Sequence, residues 1–143
     1  MWYFRFGSIS LLLLALACAG TSATPLPDTA RFKGTVFFVE NHGKGDRQLE
    51  RVIVRTLQTR GLNAVGGAKG TRPASVDFLV SCEDRWAWDM RTYLRMIQID
   101  VRNAQTGRIV ATSNSHQDSL TAMGKTYTEI IERTTNQLLD GAP

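Results

Sequence analysis

Cysteine is scarce in this chain: Cys18 and Cys82 are the two it has in 143 residues. No disulfide framework can therefore carry its stability. Histidine is as scarce, with His42 and His116 alone, too few and too far apart for a metal site. No block of like charge occurs. The net charge of +4 counts Arg5 in the N-terminal segment, and so weak a balance excludes a dedicated nucleic-acid binder. No apolar run reaches the roughly 20 residues that span a bilayer as a helix. A Gly-x-Ser-x-Gly elbow is missing. Gly43-Lys44-Gly45 lacks the P-loop spacing and its Ser or Thr, and Asp46 beside it would repel a phosphate. These absences leave no cofactor to expect and no catalytic motif of high specificity.

What the N-terminus does have is the grammar of a secretion signal. Residues 1–17 carry one cation, Arg5, then the apolar run Ile9 to Leu16 and small residues. Leu14-Ala15-Leu16-Ala17-Cys18 resembles a lipobox, which implies cleavage before Cys18 and lipidation there, a palmitate among its acyl chains. An ordinary signal peptide cut at Ala15-Leu16-Ala17 or Ala17-Cys18-Ala19 is the competing reading. Ala19 rather than Asp follows the cysteine, which by resemblance to enterobacterial sorting rules implies the outer membrane. Residues 18–30, rich in Thr, Ser and Pro, are expected to be a lipidated N-terminus and flexible tether. At about 3.3 Å per residue it would hold a domain some tens of Å from the bilayer. If Cys18 is acylated, Cys82 has no intramolecular partner; if it is retained bare, a Cys18–Cys82 bridge becomes possible.

Residues 31–140 suffice for one domain with one core. Thr35-Val36-Phe37-Phe38-Val39 is apolar on both parities and predicts an inner strand. Asp46 is the expected N-cap of a helix whose Leu49, Val52, Ile53, Thr56 and Leu57 share one face. Gly61 closes it as a C′ residue. Leu62 to Val65 is a short strand, and Gly66 to Pro73 a loop. Val76, Phe78, Val80 and Cys82 alternate with polar residues. Tyr93, Ile97, Ile99 and Val101 do the same opposite Gln98, Asp100 and Arg102. Asn103 to Gly107 is a turn, Arg108 to Thr112 the returning strand, and Ser113 to Gly124 a polar loop. Thr126 and Glu129 form a capping box for a last helix with Ile130, Ile131, Thr134 and Leu138 on one face, stopped by Gly141. The expectation is an α+β, two-layer sandwich in the order β-α-β-β-β-β-α. A mixed sheet of about five strands has two helices packed on one face.

Trp86-Ala87-Trp88-Asp89-Met90 is the least random-looking stretch. If the strand from Val76 runs on, both indoles fall on the helix-covered face and are core. Asp84 shares that parity and is costly to bury without a partner, so the strand is expected to fray there. One indole then closes the core and the other lies at the sheet end. Trp86, Trp88 and Asp89 are thus the candidate partner-binding residues. His116, Asp118 and Ser119 or Ser115 include the residue types of a hydrolytic triad, but such triads assemble from separate elements. Polar loop residues are the simpler reading.

Asp77-Phe78-Leu79-Val80, Trp86 to Met90, Ile97 to Asn103 and Thr106-Gly107-Arg108-Ile109-Val110-Ala111, behind a lipobox-like start, resemble small Gram-negative envelope lipoproteins of unknown function. More distantly the element order is similar to the α/β domain of lipoprotein activators of peptidoglycan synthases and of the curli secretion lipoprotein. The resemblance implies an outer-membrane lipoprotein facing the periplasm. It would be a non-enzymatic binding or assembly module for an envelope protein or cell-wall partner, with the membrane met through its lipid. The alternative is a small envelope hydrolase using His116 and a nearby serine.

Overall fold

The computed structural model describes residues 20–26, 32–41 and 48–140. The leader, Cys18, His42, Gly43-Lys44-Gly45, Asp46 and Gly141 lie outside them. Eight elements follow in order: β1 (Thr21–Thr24), β2 (Val36–Asn41), α1 (Leu49–Thr59), β3 (Asn63–Ala68), β4 (Phe78–Asp89), β5 (Arg91–Asn103), β6 (Ile109–His116) and α2 (Tyr127–Asp140). The six strands make one mixed sheet in the order β1-β6-β5-β4-β2-β3. The expected two-layer α+β class holds.

The alternation of apolar residues decides which face the helices cover. Phe37 pairs with Phe78 and Val39 with Val80; Val80 faces Val101, and Cys82 faces Ile99. These share a core with Ile53 and Leu57 of α1 and Ile131 and Leu138 of α2. The opposite face is polar where strands β4 to β6 meet. There the Thr112 hydroxyl donates to Asp100 at 2.6 Å, Gln98 donates to the same carboxylate at 3.2 Å, and Arg102 lies 3.5 Å from it.

The β2-α1-β3 unit is parallel, as the sequence predicts. Its helix ends in a Schellman motif: Leu62 N–H donates to Leu57 O at 3.1 Å and Gly61 N–H to Gln58 O at 2.9 Å, with Gly61 at φ 79°. Its start differs from expectation. The N-cap is Gln48, in a left-handed conformation and with no side-chain cap bond, so Asp46 lies before the cap. Strand β3 runs on through Gly66 and Gly67, which the sequence places in a loop. A Cβ on Gly67 would come within 2.8 Å of the Phe38 ring. The missing side chain is what lets Phe38 bury on the sheet face that carries no helix.

Three further boundaries move. Within the expected tether, residues 20–26 are not free, because Thr21–Thr24 pairs antiparallel with Ser115 to Thr112 of β6. An edge strand needs only backbone hydrogen bonds, so a polar Thr-Ser-Ala-Thr run suffices. Leu26, 3% exposed, then anchors it with its amide on Leu138 O at 2.9 Å. The sheet accordingly has six strands. Strand β6 continues past Thr112, because Ala111, Ser113 and Ser115 are small, buried and face the helix layer. Strand β4 does not fray at Asp84 but reaches Asp89. The register instead shifts between Arg85 and Trp86: Arg85 pairs with Met96 and Trp86 with Leu94, so Arg95 is the extra residue of a bulge. That bulge inverts parity, so Leu94 rather than Tyr93 enters the core.

Candidate functional site

Strands β2 and β4 are paired only from Phe37↔Phe78 to Val39↔Val80, and β6 stops opposite Met96. Beyond Arg85 and Met96 the β4–β5 hairpin therefore continues with no neighbouring strand on either side among the described residues. Its turn is tight, with Asp89 opposite Arg91 and Met90 between them. Met90 sits at φ 57°, a left-handed conformation that costs a residue bearing a Cβ about 1–3 kcal/mol. Glycine or asparagine is the usual occupant of such a turn; here the position carries a large apolar side chain that is 93% exposed.

The two tryptophans occupy different environments. Trp86 is half-buried and packs against the core. Its indole Nε1 donates to the Asp84 carboxylate, and its ring meets that of Tyr127 at a centroid distance of 6.1 Å, edge to face. Asp84 thus has its polar partner, which explains how the strand continues through it. Trp88 is 76% exposed. It shares its parity with Trp86 but lies past the end of the helix layer, opposite Thr92. Asp89 is exposed at the turn. The expected inequality of the indoles is present, with the reach of the helix layer rather than fraying at its root: Trp86 meets Tyr127 at the start of α2 and Trp88 does not.

The segment between β6 and α2 docks against this hairpin. Arg91 donates to Ala122 O at 2.5 Å, and Ala122 is buried. Around it the Asp118 carboxylate accepts from Thr121 N–H at 2.7 Å and from the Thr121 hydroxyl at 2.8 Å. These bonds hold the Asp118 carboxyl below its ordinary range. The Thr126–Glu129 capping box forms as predicted: Glu129 N–H donates to the Thr126 hydroxyl at 3.2 Å and Thr126 N–H to the Glu129 carboxylate at 2.6 Å. Leu120 and Met123 on this segment and Tyr127 at the start of α2 are exposed. Among the described residues seven large apolar side chains are exposed, and five of them belong to this end of the molecule. That concentration marks one surface rather than scattered exposure. The sequence pointed to Trp88 and Asp89 but missed Leu120 and Met123, which no periodicity distinguishes.

Elsewhere the geometry is less suggestive. A hollow of about 740 Å³ is lined by Glu40, Lys69, Glu83, Asp100, Arg102 and Cys82 among others. Burial, with Asp84 and Glu50 nearby, pushes the Cys82 thiol up to about 11, so it is no ready nucleophile. Ser115 is buried toward the helices and accepts from Gln117 Nε2 at 3.0 Å, while His116, the next residue of the same strand, is exposed on the other face. The structure does not bring that pair together. Among the described residues no three His, Cys, Asp or Glu are grouped to hold a metal ion, and no helix is long and apolar enough to cross a membrane.

No family model matches the chain, and no curated protein matches it. Among solved structures it is similar to a PelC dodecamer from Paraburkholderia phytofirmans, with a TM-score of 0.61 at 12% identity over 85% of this chain and 94% of that one. A minor lipoprotein from Acinetobacter baumannii aligns with a TM-score of 0.36 at 12% identity, over 73% and 90% of the two chains. The first likeness is one of fold; the second is too distant to argue from.

Proposed function

We propose that the chain is a membrane-tethered envelope lipoprotein, anchored through Cys18 at the outer membrane and facing the periplasm. It acts as a non-enzymatic binding or assembly module for another envelope component. The observation that carries this reading is the hairpin tip: Trp88 and Met90 held in the open, beside Asp89, on a strand pair that projects past the sheet. A side chain kept in a costly backbone conformation at full exposure contributes nothing to the core. Its use is in contact with something outside the domain. The fold shared with PelC, which was solved as a dodecamer, supports a role in assembly.

The competing reading, a small hydrolase using His116 and a nearby serine, has less support. Ser115 and His116 point to opposite faces of β6, and Asp118 is engaged by Thr121.

A photo-cross-linking amino acid at position 88, expressed in the cell envelope, tests the proposal against the same probe at Ile109, an exposed site at the other end of β6. Discrete products to an envelope component from position 88 alone are expected. Equal yields from both positions contradict it, as would esterase or peptidoglycan-hydrolase turnover that disappears in His116→Ala.

A further inference from the structure

The position of β1 fixes where the chain enters the sheet. His116 N–H donates to Gly20 O at 3.0 Å, His116 is opposite Met96, and Met96 is opposite Arg85. Gly20, His116, Met96 and Arg85 therefore stand in one row across four strands. Past this row lies the bare part of the hairpin. Trp88 is three residues beyond Arg85, about 10 Å at the rise of an antiparallel strand. Strand β1 begins at this row and runs away from the tip, antiparallel to β6. Ala19 alone separates Cys18 from Gly20, so the two are at most about 7 Å apart. A lipid at Cys18 would thus be attached within about 7 Å of the row that the apolar tip passes by about 10 Å.

We propose that the hairpin tip, Trp88 and Met90, is a membrane-docking element that enters the interfacial layer of the same phospholipid bilayer that holds the lipid at Cys18. This rests on the lipoprotein reading above and names the envelope component that the tip meets. Three observations select a lipid surface over a second copy of the chain or another protein. The first is reach: a lipid at Cys18 cannot be more than about two extended residues from the sheet, so the bilayer must lie close to this end of the domain. The second is chemistry. Tryptophan is the side chain favoured at the headgroup level, and an exposed apolar residue beside it supplies the buried area. The third is charge: Arg91, Arg95 and Lys125 are exposed around the tip and its docked segment, suited to anionic headgroups. Asp89 is the acidic residue at the turn itself and remains at the headgroup level. Leu120 and Met123, exposed on the segment held by Arg91, widen the same contact.

The mature lipidated chain provides its own probe. Of the three tryptophans Trp2 lies in the leader, so Trp86 and Trp88 are the emitters. The full-length protein is produced with a palmitate analogue, purified and reconstituted in phosphatidylethanolamine–phosphatidylglycerol vesicles with ordinary or brominated acyl chains. Brominated lipid is expected to lower the tryptophan emission of the native chain relative to ordinary lipid, the response of an indole at the interface. Trp88→Phe should lose most of that quenching while the emission of Trp86 shows the fold intact. Met90→Gly, which suits the left-handed turn, should reduce quenching without unfolding. A labelled chain whose emission is the same in both lipids overturns docking and leaves the tethered reading standing. A chain that takes up no label overturns the tethered reading and this inference with it. Quenching that persists in Trp88→Phe assigns the contact to another part of the domain and also overturns the proposal.

Discussion

The amide of His116 donates to the carbonyl of Gly20 at 3.0 Å, at the point where β1 begins its pairing with β6. A segment composed like a linker is thereby part of the sheet, and it leads to Leu26, whose side chain is packed in the core. A residue of a free tether could be truncated at no cost. Leu26→Ala is instead expected to lower the unfolding free energy by about 2–5 kcal/mol. Urea denaturation of the variant against the native chain measures it.

The second prediction concerns Cys82. Its thiol is raised from 9.0 to about 11, first by burial and then by Asp84 and Glu50. At pH 8 the thiolate fraction is then lower by about a hundredfold than for an unperturbed thiol. Iodoacetamide should modify the folded protein correspondingly slowly and the urea-unfolded protein at the ordinary rate. The sign of the linkage follows. The folded pKa lies above the unfolded one, so the contribution is fully present below pH 9.0 and is lost as pH rises through about 11.

Glu129 supplies the third, with the opposite sign. Hydrogen bonds from Thr126 hold its carboxyl below the ordinary value of 4.5. Its contribution is present above that value and is lost as pH falls through the folded pKa. A carbon-detected titration of the side-chain carboxyl should show the depressed value in the native chain. In Thr126→Ala, where the hydroxyl donor is gone, the value should move back toward 4.5.

The core-forming elements were legible because their signals are local. Val80, Cys82, Ile99 and Val101 alternate with a period of two, and the Thr126–Glu129 box and Gly61 mark helix ends by their own chemistry. Tyr93 was misplaced because one extra residue, Arg95, inverts the alternation, and nothing in Leu94-Arg95-Met96 announces a bulge. Strand β1 was missed for a different reason. Thr21–Thr24 bonds through its backbone to an edge that exists only once β6 has formed, so its side chains carry no apolar pattern.

The site was half legible. Trp88 and Asp89 drew notice by composition, and Asp84 signalled that the indoles could not be alike. Leu120 and Met123 read as ordinary loop residues, because their place beside the tip depends on a long-range bond, Arg91 to Ala122 O.

The central claim is that Trp88 serves contact and Trp86 serves the fold. Urea unfolding of Trp86→Ala and Trp88→Ala, paired with photo-cross-linking from position 90 of each lipidated variant in the cell envelope, tests it most directly. Trp86→Ala should lose about 3 kcal/mol of stability, as expected for a tryptophan packed against the core. Trp88→Ala should unfold within about 0.5 kcal/mol of the native chain and lose its envelope contact. Equal large losses of stability in both variants, or a Trp88→Ala protein that keeps its contact, would contradict the account.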